Sequence, residues 1–257
     1  MRIGILHPGA MGADLGGALA ARHSVLWTGV GRTDVTRERA TGAGFVEVAG
    51  LADLVRRADV IMSICPPHAA VEVAERIATV RSGGFFYIDA NSVAPETMRD
   101  IARRFDDGMV VDATVTGAPG AGNTTLWLAG PRSGEAAELF SETRIASRII
   151  GRDIGQASAF KMCAGLRSKV IPAVWATLLD AASAFGQDVE YAVHKHLREI
   201  GYDVEREAER VAERAAKVWR WTGEMDESAK TMREVGLPSG FSEAASMTYH
   251  RIAARSE

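Results

Sequence analysis

A glycine-rich turn near the start of the chain has the residue types that can hold a pyrophosphate. The segment GILHPGAMGADLGGALA begins at residue 4 and reads as an apolar run, a tight turn and a stretch of small residues. In dinucleotide-binding folds such a turn joins a strand to a helix whose first amides face the phosphates. We therefore predict that Gly9, Ala10, Met11 and Gly12 bind a cofactor, although His7 stands at the position of the usual first glycine. A plain strand-to-helix turn is the alternative.

A basic cluster follows at the distance where this fold contacts the ribose. About 20 residues past the glycine turn, an acidic residue holds the ribose 2′-hydroxyl of NAD, whereas an arginine accommodates the 2′-phosphate of NADP. Here Arg32 and Thr33 fall at that position, and Arg37 lies about one helical turn further on. Because a guanidinium can bind a phosphate through two hydrogen bonds, we predict NADP, with NAD less favoured. Asp34 is the competing signal for NAD, and an exposed arginine beside a helix cap is the alternative without a ligand.

These residues need a sheet whose strand ends meet, and the first 150 residues have the matching pattern. Short apolar runs alternate with amphipathic stretches, which is typical of a mostly parallel sheet covered by helices on both faces. The predicted strands are Arg2–Leu6, Val25–Trp27, Val60–Ile64, Phe85–Asp89, Met109–Val115, Leu126–Ala129 and Ala146–Ile150. We predict an α/β fold with a Rossmann-type, doubly wound sheet. The loop after the third of these strands passes the adenosine ribose in this fold, so Cys65 and Pro66 join the predicted cofactor residues.

The pattern changes after Gly151, where no further strand is indicated. The chain from Gly155 to Phe185 reads as one long apolar helix, which Pro172 should kink because proline removes a backbone hydrogen bond. Further helices are predicted at Val204–Thr222, Glu224–Val235 and Ser239–Ala254, with GLPSG at 236–240 as a stop and restart. We therefore predict an NADP-binding domain over residues 1–153 and an all-helical domain over residues 154–257.

Composition argues against several other classes of function. The chain has 257 residues and a formal net charge of −3, so no basic field draws it to nucleic acid or to an anionic membrane. Its two cysteines, Cys65 and Cys163, do not make a disulfide framework and lack the partners of a zinc site. No run of about 18 apolar residues and no cleavage-site pattern occurs, so we expect no membrane span and a cytoplasmic location.

Four segments occur in the order that one enzyme family uses. PGAMG at 8–12, DANSVAP at 89–95, DATVTGAPGAG at 112–122 and FKMCAG at 160–165 resemble segments of the β-hydroxyacid dehydrogenases. In that family these segments are the cofactor turn, a polar loop, a substrate segment and the segment of the catalytic lysine. The family includes hydroxyisobutyrate and phosphogluconate dehydrogenases and is related to the imine reductases. WRWTGEMDESAKTMREVGLPSGF at 219–241 is similar to the C-terminal signature of a bacterial branch.

The resemblance implies roles that spacing alone leaves open. It implies that Lys161 is the catalytic acid or base, because hydride transfer to a carbonyl needs a proton donor for the developing alkoxide. Partial burial would lower the pKa of this lysine toward the working pH. The resemblance also makes Thr116 a partner in catalysis. The residues that it assigns to the substrate are Asn91, Ser92, Gly117 and Ala118. From the residues alone, a lysine in a surface salt bridge, a strand-ending turn and a helix cap at Ser92 are the alternatives.

The chain departs from the family beside the lysine. The family's two asparagines, three and four residues further on, are replaced by Ala164 and Gly165, so a carboxylate-binding amide is missing. We predict an NADP-dependent oxidoreductase that transfers a hydride between nicotinamide and the carbonyl or alcohol of a small, polar, hydroxyacid-like substrate. The alternatives are an imine reductase and a protein that binds NADP without turnover. The resemblance further implies a homodimer formed through the helical domain, which would also close the substrate site.

Overall fold

The computed structural model describes residues 1–81, 83–215 and 218–255, apart from the side chains of residues 214, 215 and 219. The chain divides into two compact units, Met1–Lys161 and Met162–Glu257. The first unit contains the sheet, and the described part of the second is helical. The sequence-based boundary at residues 153 and 154 falls a little before this division.

The first unit is built on one eight-stranded sheet. Its strands are β1 (Arg2–Ile5), β2 (Ser24–Trp27), β3 (Val46–Glu47), β4 (Val60–Ser63), β5 (Phe86–Asp89), β6 (Val110–Thr116), β7 (Thr125–Ala129) and β8 (Ala146–Gly151). Their order is β3-β2-β1-β4-β5-β6-β7-β8, and every neighbouring pair is parallel except the antiparallel pair of β6 and β7. The first six strands have the order of a doubly wound dinucleotide-binding sheet, which confirms the predicted fold class.

Helices cover both faces of this sheet. They are α1 (Ala10–Ala20), α2 (Asp34–Gly42), α3 (Leu51–Arg57), α4 (Ala70–Val80), α5 (Pro95–Ala102) and α6 (Ser133–Leu139), with a 3₁₀ turn at Pro67–Ala69. The helix α7 (Gln156–Gly165) begins in the first unit and ends in the second. Successive strand residues point to opposite faces. On β4, Val60 and Met62 therefore belong to one apolar core, and Ile61 belongs to the other. Burial on both faces explains why these strands are apolar throughout.

The seven predicted strands are confirmed, each beginning and ending within one residue of its observed bounds. The strand β3 is an addition. It has two exposed residues, Val46 and Glu47, and it pairs with β2 at the edge of the sheet. Two residues are too few to show an alternation of apolar and polar side chains, so the pattern carries no signal for this strand.

Among the residues that the structure describes, the second unit consists of helices and the short turns that connect them. A π-helical turn covers Leu166–Val170, and it is followed by α8 (Ile171–Ala184), α9 (Gln187–Glu199), α10 (Val204–Ala215), α11 (Val218–Glu234) and α12 (Gly240–Ala254). The predicted stop and restart at GLPSG is confirmed between α11 and α12. Within the described segments, no helix combines the length and the apolar composition needed to cross a bilayer.

A π-helical turn lies just before Pro172. It covers Leu166–Val170, and Pro172 stands in the first turn of α8. A π-turn widens the helix, which relieves the clash between a proline ring and the carbonyl group one turn earlier. The irregular step of the long helix is therefore at 166–170, and the kink at Pro172 stays a prediction.

Two other helices of the second unit differ from the prediction. The helix α9 was not predicted, and none of its residues is fully buried. The predicted break at Gly223 is also wrong, because α11 runs through this glycine. A single glycine inside a helix costs only about 1 kcal/mol, which packing along α12 can offset. The predicted continuity of one helix over 204–222 includes residues 216 and 217, which lie outside the described residues.

Candidate functional site

The predicted site residues gather where parallel strands end. Gly9 follows β1, Arg32 follows β2, Cys65 follows β4, Asn91 follows β5, and Thr116 is the last residue of β6. These five strands are parallel to one another, so their carboxyl ends lie along one edge of the sheet. The strand order reverses at β1, which has β2 on one side and β4 on the other. Ligands of such sheets bind in the crevice outside the carboxyl ends of the strands at this point.

The glycine turn forms without the usual first glycine. Among the described residues, Glu142 is the only non-glycine residue with a positive φ, so His7 needs no conformation reserved for glycine. The amide of Gly9 donates to the carbonyl oxygen of His7 at 2.8 Å and closes the turn. A Cβ atom on Gly12 would lie 2.3 Å from that same oxygen, whereas one on Gly9 would meet nothing within 4 Å. Gly12 is therefore required by the turn itself, and Gly9 leaves room for a ligand to approach.

The first amides of α1 face the space above this turn. Gly9 is the N-cap of the helix and offers no side-chain cap. The first amides of a helix have no acceptor within the helix, so the N–H groups from Ala10 onward can bind an anion. This geometry suits the pyrophosphate of a dinucleotide.

A positively charged group lies beside the turn and includes polar atoms without partners. Within the described residues, Nε of Arg32 and Nδ1 of His7 are buried and make no hydrogen bond. Burial, followed by the charges of Arg32 and Arg76, lowers the pKa of His7 to about 4. Burial and the nearby Arg76 also lower the pKa of Arg32, while the thiol of Cys65 acts in the opposite direction. An anion would satisfy this cluster, so the residues fit the phosphates of a dinucleotide. Arg76, on α4, is absent from the sequence-based prediction.

The other two residues predicted after β2 already have partners. Thr33 is the N-cap of α2 and accepts from the amide of Thr36 at 3.4 Å. Arg37 forms a 2.7 Å ion pair with Glu47 and donates to the carbonyl of Gly29 at 2.8 Å. The roles of Thr33 and Arg37 toward the cofactor stay predictions.

The ends of β4 and β5 are joined through Asn91. Its Oδ1 accepts from the amide of Cys65 at 2.6 Å, and its Nδ2 donates to Asp89 at 2.9 Å and to Ser63 at 3.3 Å. The Asn91 side chain is buried and holds the Cys65 loop through these bonds, and its contact with substrate stays a prediction. Ser92 is half-buried, and its hydroxyl has no hydrogen-bond partner among the described residues.

Two groups in this network have strongly raised pKa values. Burial raises the pKa of the Asp89 carboxyl to about 7, although hydrogen bonds from Asn91 oppose this change. Burial also raises the pKa of the Cys65 thiol to about 12, so this thiol stays protonated and unreactive at neutral pH. Neither the Cys65 thiol nor the neighbouring Pro66 carries a charge toward a ligand.

The segment after β6 is a rigid glycine turn. Gly117 has φ +96°, and a Cβ atom there would lie 2.5 Å from the carbonyl oxygen of Asn123. The amide of Ala118 donates to Oδ1 of Asn123 at 3.2 Å. Thr116 is half-buried, and Gly117 and Ala118 are exposed, so the hydroxyl of Thr116 lies at the edge that substrate would approach.

Asp14 connects this segment to the cofactor helix, and sequence reasoning missed it. Its carboxylate on α1 accepts from the amide of Gly120 at 2.9 Å, from Thr124 at 3.2 Å and from Arg144 at 2.7 Å. Burial alone would raise the pKa of Asp14, but these hydrogen bonds, the one from Arg144 foremost, keep it below its ordinary value. An acid inside an otherwise apolar helix was the available signal.

The helix α7 positions Lys161 against β6. Its Nζ donates to the carbonyl oxygen of Val115 at 2.6 Å. The start of α7 is held by Asp112, which accepts from the amides of Gly155, Ala157 and Ser158 and from the Ser158 hydroxyl at 2.8–3.2 Å. Burial raises the pKa of Asp112 against these hydrogen bonds. Lys161 is thus brought beside Thr116, at the same edge of the sheet as the glycine turn.

Comparisons with known proteins concern the family and the fold. Residues 2–141 match the NAD binding domain of 6-phosphogluconate dehydrogenase, and residues 182–252 match a domain of unknown function, DUF1932. The chain is 24% identical over 186 residues to an uncharacterized 28.5 kDa protein in the 7S RNA 5′ region of Methanothermus fervidus, and the match covers 72% of both chains.

Two solved structures show the same fold. The 3-hydroxyisobutyrate dehydrogenase of Mycobacterium tuberculosis is 16% identical with a TM-score of 0.70, covering 98% of this chain and 94% of that one. An imine reductase of Streptomyces aurantiacus is 18% identical with a TM-score of 0.55, again covering 98% and 94%. At these identities the likeness concerns the fold alone.

Proposed function

Because this chain belongs to the family defined by the NAD binding domain of 6-phosphogluconate dehydrogenase, we propose that it is an NADP-dependent oxidoreductase acting on the carbonyl or alcohol of a small, polar, hydroxyacid-like substrate. The family and the fold suggest NAD(P)-dependent oxidoreduction as the general class. One observation carries the finer proposal. It is the ammonium group of Lys161, which β6 and α7 hold 2.6 Å from the carbonyl oxygen of Val115, next to Thr116.

The turn and the cations beside it support NADP rather than NAD. The uncapped amides of α1 are suited to the pyrophosphate. Arg32, whose Nε lacks a partner, is the group that we assign to the 2′-phosphate, and Arg76 adds a second positive charge nearby. Arg37 would have to give up its ion pair with Glu47 to bind the phosphate, so we favour Arg32 as the residue that contacts the 2′-phosphate. When bound, NADP supplies or accepts the hydride.

Lys161 and Thr116 would act on the substrate oxygen. In the direction of reduction, the ammonium of Lys161 gives a proton to the developing alkoxide, and in oxidation its amine takes one from the alcohol. Thr116 binds an oxygen of the substrate through its hydroxyl. A lysine acid suits an alkoxide, so we favour alcohol and carbonyl chemistry over imine reduction. The protein would thus hold the substrate, orient it and move a single proton at its oxygen.

Two copies of the chain would pair through the second unit. An apolar groove of about 340 Å³ lies between α8 and α12, and the exposed side chains of Val174 and Phe241 line it. Exposed apolar surface of this kind marks protein interfaces. Sedimentation equilibrium of the purified 27.5 kDa chain should give twice this mass, whereas a monomer at micromolar concentration would contradict the dimer. The cytoplasmic location stays a prediction.

The first test measures cofactor binding. Purified protein is titrated with NADPH and, separately, with NADH while the nicotinamide fluorescence is recorded. We expect tight binding of NADPH and weak binding of NADH. If neither nucleotide binds, the glycine turn does not work and the proposed function fails.

The second test separates an enzyme from a protein that only binds NADP. The purified protein is screened with NADPH against keto acids, aldehydes and cyclic imines, and Lys161→Met is then assayed with the substrate found. We expect turnover to fall by orders of magnitude while NADPH affinity is kept. Lys195→Met is the matched control, because this lysine is exposed and its ion-pair partner in the described part of the chain is Glu199 on the same helix, α9. Unchanged turnover in Lys161→Met would remove Lys161 from the mechanism, and no turnover of any substrate would favour the non-catalytic alternative.

A further inference from the structure

The side chain of Trp127 reaches the hydroxyl of Thr116 from the neighbouring strand. Its indole nitrogen Nε1 donates to Oγ1 of Thr116 at 2.8 Å. In the antiparallel register Trp127 lies opposite Thr114, so the indole extends diagonally to Thr116, two residues further along β6. Both Trp127 and Thr116 are half-buried. The site that we assign to the substrate is therefore bordered by a tryptophan that the sequence did not suggest.

This hydrogen bond restricts what Thr116 can do. An indole N–H is only a donor, and a threonine hydroxyl has one hydrogen to donate and two lone pairs to accept with. Since Trp127 occupies one lone pair, the hydroxyl hydrogen of Thr116 points elsewhere, and no acceptor for it occurs among the described residues. A hydroxyl that accepts a hydrogen bond also becomes a stronger donor. The hydrogen of Thr116 is thus directed to a group outside the chain that can accept it.

Trp127 is itself held firmly by its surroundings. Its ring packs on Phe160 with centroids 4.3 Å apart and an interplanar angle of 34°. Phe160 directly precedes Lys161 on α7. The guanidinium of Arg148 lies 5.3 Å from the centroid of the same indole ring. One side chain therefore touches both the residue that would bind substrate and the helix turn that carries the proposed acid.

We propose that Trp127 is a positioning residue that fixes Thr116 as a hydrogen-bond donor, so that the substrate group bound at Thr116 is an acceptor oxygen of a carboxylate or carbonyl. This inference rests on the proposed function and narrows its substrate class. An ammonium group or another pure donor could bind only to the second lone pair of Thr116, and it would leave the hydroxyl hydrogen unused.

The hydrogen bond itself is tested without any turnover. The indole ¹H–¹⁵N resonance of Trp127 is assigned by its loss in Trp127→Phe, a variant that keeps an aromatic ring against Phe160. Thr116→Val should move this resonance and speed its hydrogen exchange, and Thr116→Ser should keep both close to the wild type. Thr114→Val is the matched control, because the buried Thr114 hydroxyl lies opposite Trp127 and has no partner in the described chain. The proposal is overturned if Thr116→Val leaves the Trp127 resonance unshifted, or if Thr114→Val shifts it by the same amount.

The substrate class is tested with a matched pair of probes. In the presence of NADPH, propionate and n-propylamine, which is an ammonium ion at neutral pH, are titrated while the Trp127 indole resonance is observed. We expect propionate to shift it in the wild type and not in Thr116→Val, and n-propylamine to leave it unchanged. Equal shifts with both probes, or no shift with either, would show that Thr116 does not select an acceptor oxygen.

A double-mutant cycle of kinetic constants then tests whether Trp127 acts through Thr116. With the substrate found in the screen, we expect Trp127→Phe to raise KM about tenfold, as the loss of one oriented hydrogen bond implies, with a smaller change in kcat. In a Thr116→Val background Trp127→Phe should have almost no further effect, whereas independent structural damage would be additive. Additive losses would overturn the proposal. If no substrate is turned over while the resonance behaves as expected, the proposed function has failed and the hydrogen bond stands.

Discussion

The carboxyl group of Asp112 is the attachment that holds the lysine helix α7 to the sheet. It accepts from the amides of Gly155, Ala157 and Ser158 at 2.8, 3.0 and 3.2 Å and from the hydroxyl of Ser158 at 2.8 Å. All of these groups are buried, and the three amides belong to the first turn of the helix or directly precede it. Replacing Asp112 therefore removes acceptors from donors that water cannot easily reach.

The expected cost follows from counting these bonds. In Asp112→Ala the Ser158 hydroxyl can rotate to another acceptor, but the three amides cannot. At about 1 kcal/mol for each lost hydrogen bond, we expect a loss of about 3 kcal/mol in the free energy of unfolding. Asp112→Asn should cost about 1 kcal/mol, because its oxygen can serve the amides while its nitrogen donates to Oγ of Ser158. Burial raises the pKa of Asp112, so its negative charge contributes little that asparagine would lose.

Urea denaturation followed by far-ultraviolet circular dichroism measures these losses, provided that the slope against urea is the same in all variants. Ser158→Ala is the matched control, and it should cost about 1 kcal/mol because only the hydroxyl bond disappears. The reasoning is refuted if Asp112→Ala costs less than about 1 kcal/mol. It is equally refuted if alanine and asparagine at this position cost the same.

Three further predictions concern the cofactor turn. Arg32→Gln should weaken NADPH binding at least tenfold and leave NADH binding almost unchanged. Arg37→Gln should weaken NADPH binding less, because Arg37 pairs with Glu47. If fluorescence titrations of Arg32→Gln give equal losses for both nucleotides, Arg32 does not bind the 2′-phosphate. Gly12→Ala places a Cβ 2.3 Å from a backbone oxygen and should lower both Tm and NADPH affinity, while Gly17→Ala on the same helix, with its nearest contact at 3.6 Å, should keep both. The unfolded chain binds a proton at His7 below pH 6.5 and the folded chain only below about pH 4, so this residue stabilises the fold above pH 6.5 and this stability is lost as the pH falls to 4. The difference between the two pKa values of His7 corresponds to about 3 kcal/mol in the free energy of unfolding. The fall in Tm between pH 7 and pH 4.5 should therefore be smaller in His7→Asn than in the wild type. An identical fall in both proteins would contradict the lowered pKa of His7.

The strands were predictable because burial on both faces leaves a signal in consecutive residues. Val60–Ser63 is apolar at three of its four positions, and the structure buries all four. The helix α9 lacked such a signal. Its partly buried stripe consists of Glu190, Val193, His194 and Leu197, so half of the positions at helical spacing are polar. The π-turn before Pro172 has no sequence pattern of its own, and only the backbone geometry reveals it.

The site was predictable where its residues follow strand ends and unpredictable where it depends on neighbours in space. Gly9, Arg32 and Thr116 follow from the order of strands and loops. Arg76 enters because α4 brings it near Arg32, and Trp127 enters because the register of β6 and β7 aims its indole at Thr116. Neither proximity can be read from spacing along the chain, since each depends on how two separate elements pack.

Gly165, at a position where the resembled family has an asparagine, lies beside a buried ion pair of the second unit. A Cβ atom on Gly165 would lie 4.0 Å from Nζ of Lys169 and 3.9 Å from Cε of Met225, so it would be in ordinary contact with both side chains. Lys169 is buried in an ion pair with Glu224 at 2.8 Å, and the π-turn that carries it is tied by a hydrogen bond from the Tyr249 hydroxyl to the carbonyl of Lys169. A buried ion pair contributes little net stability compared with apolar packing, but removing one partner leaves a buried charge without compensation. The position where the resembled family has an asparagine therefore lies, in this chain, beside a lysine that the helical unit holds in place.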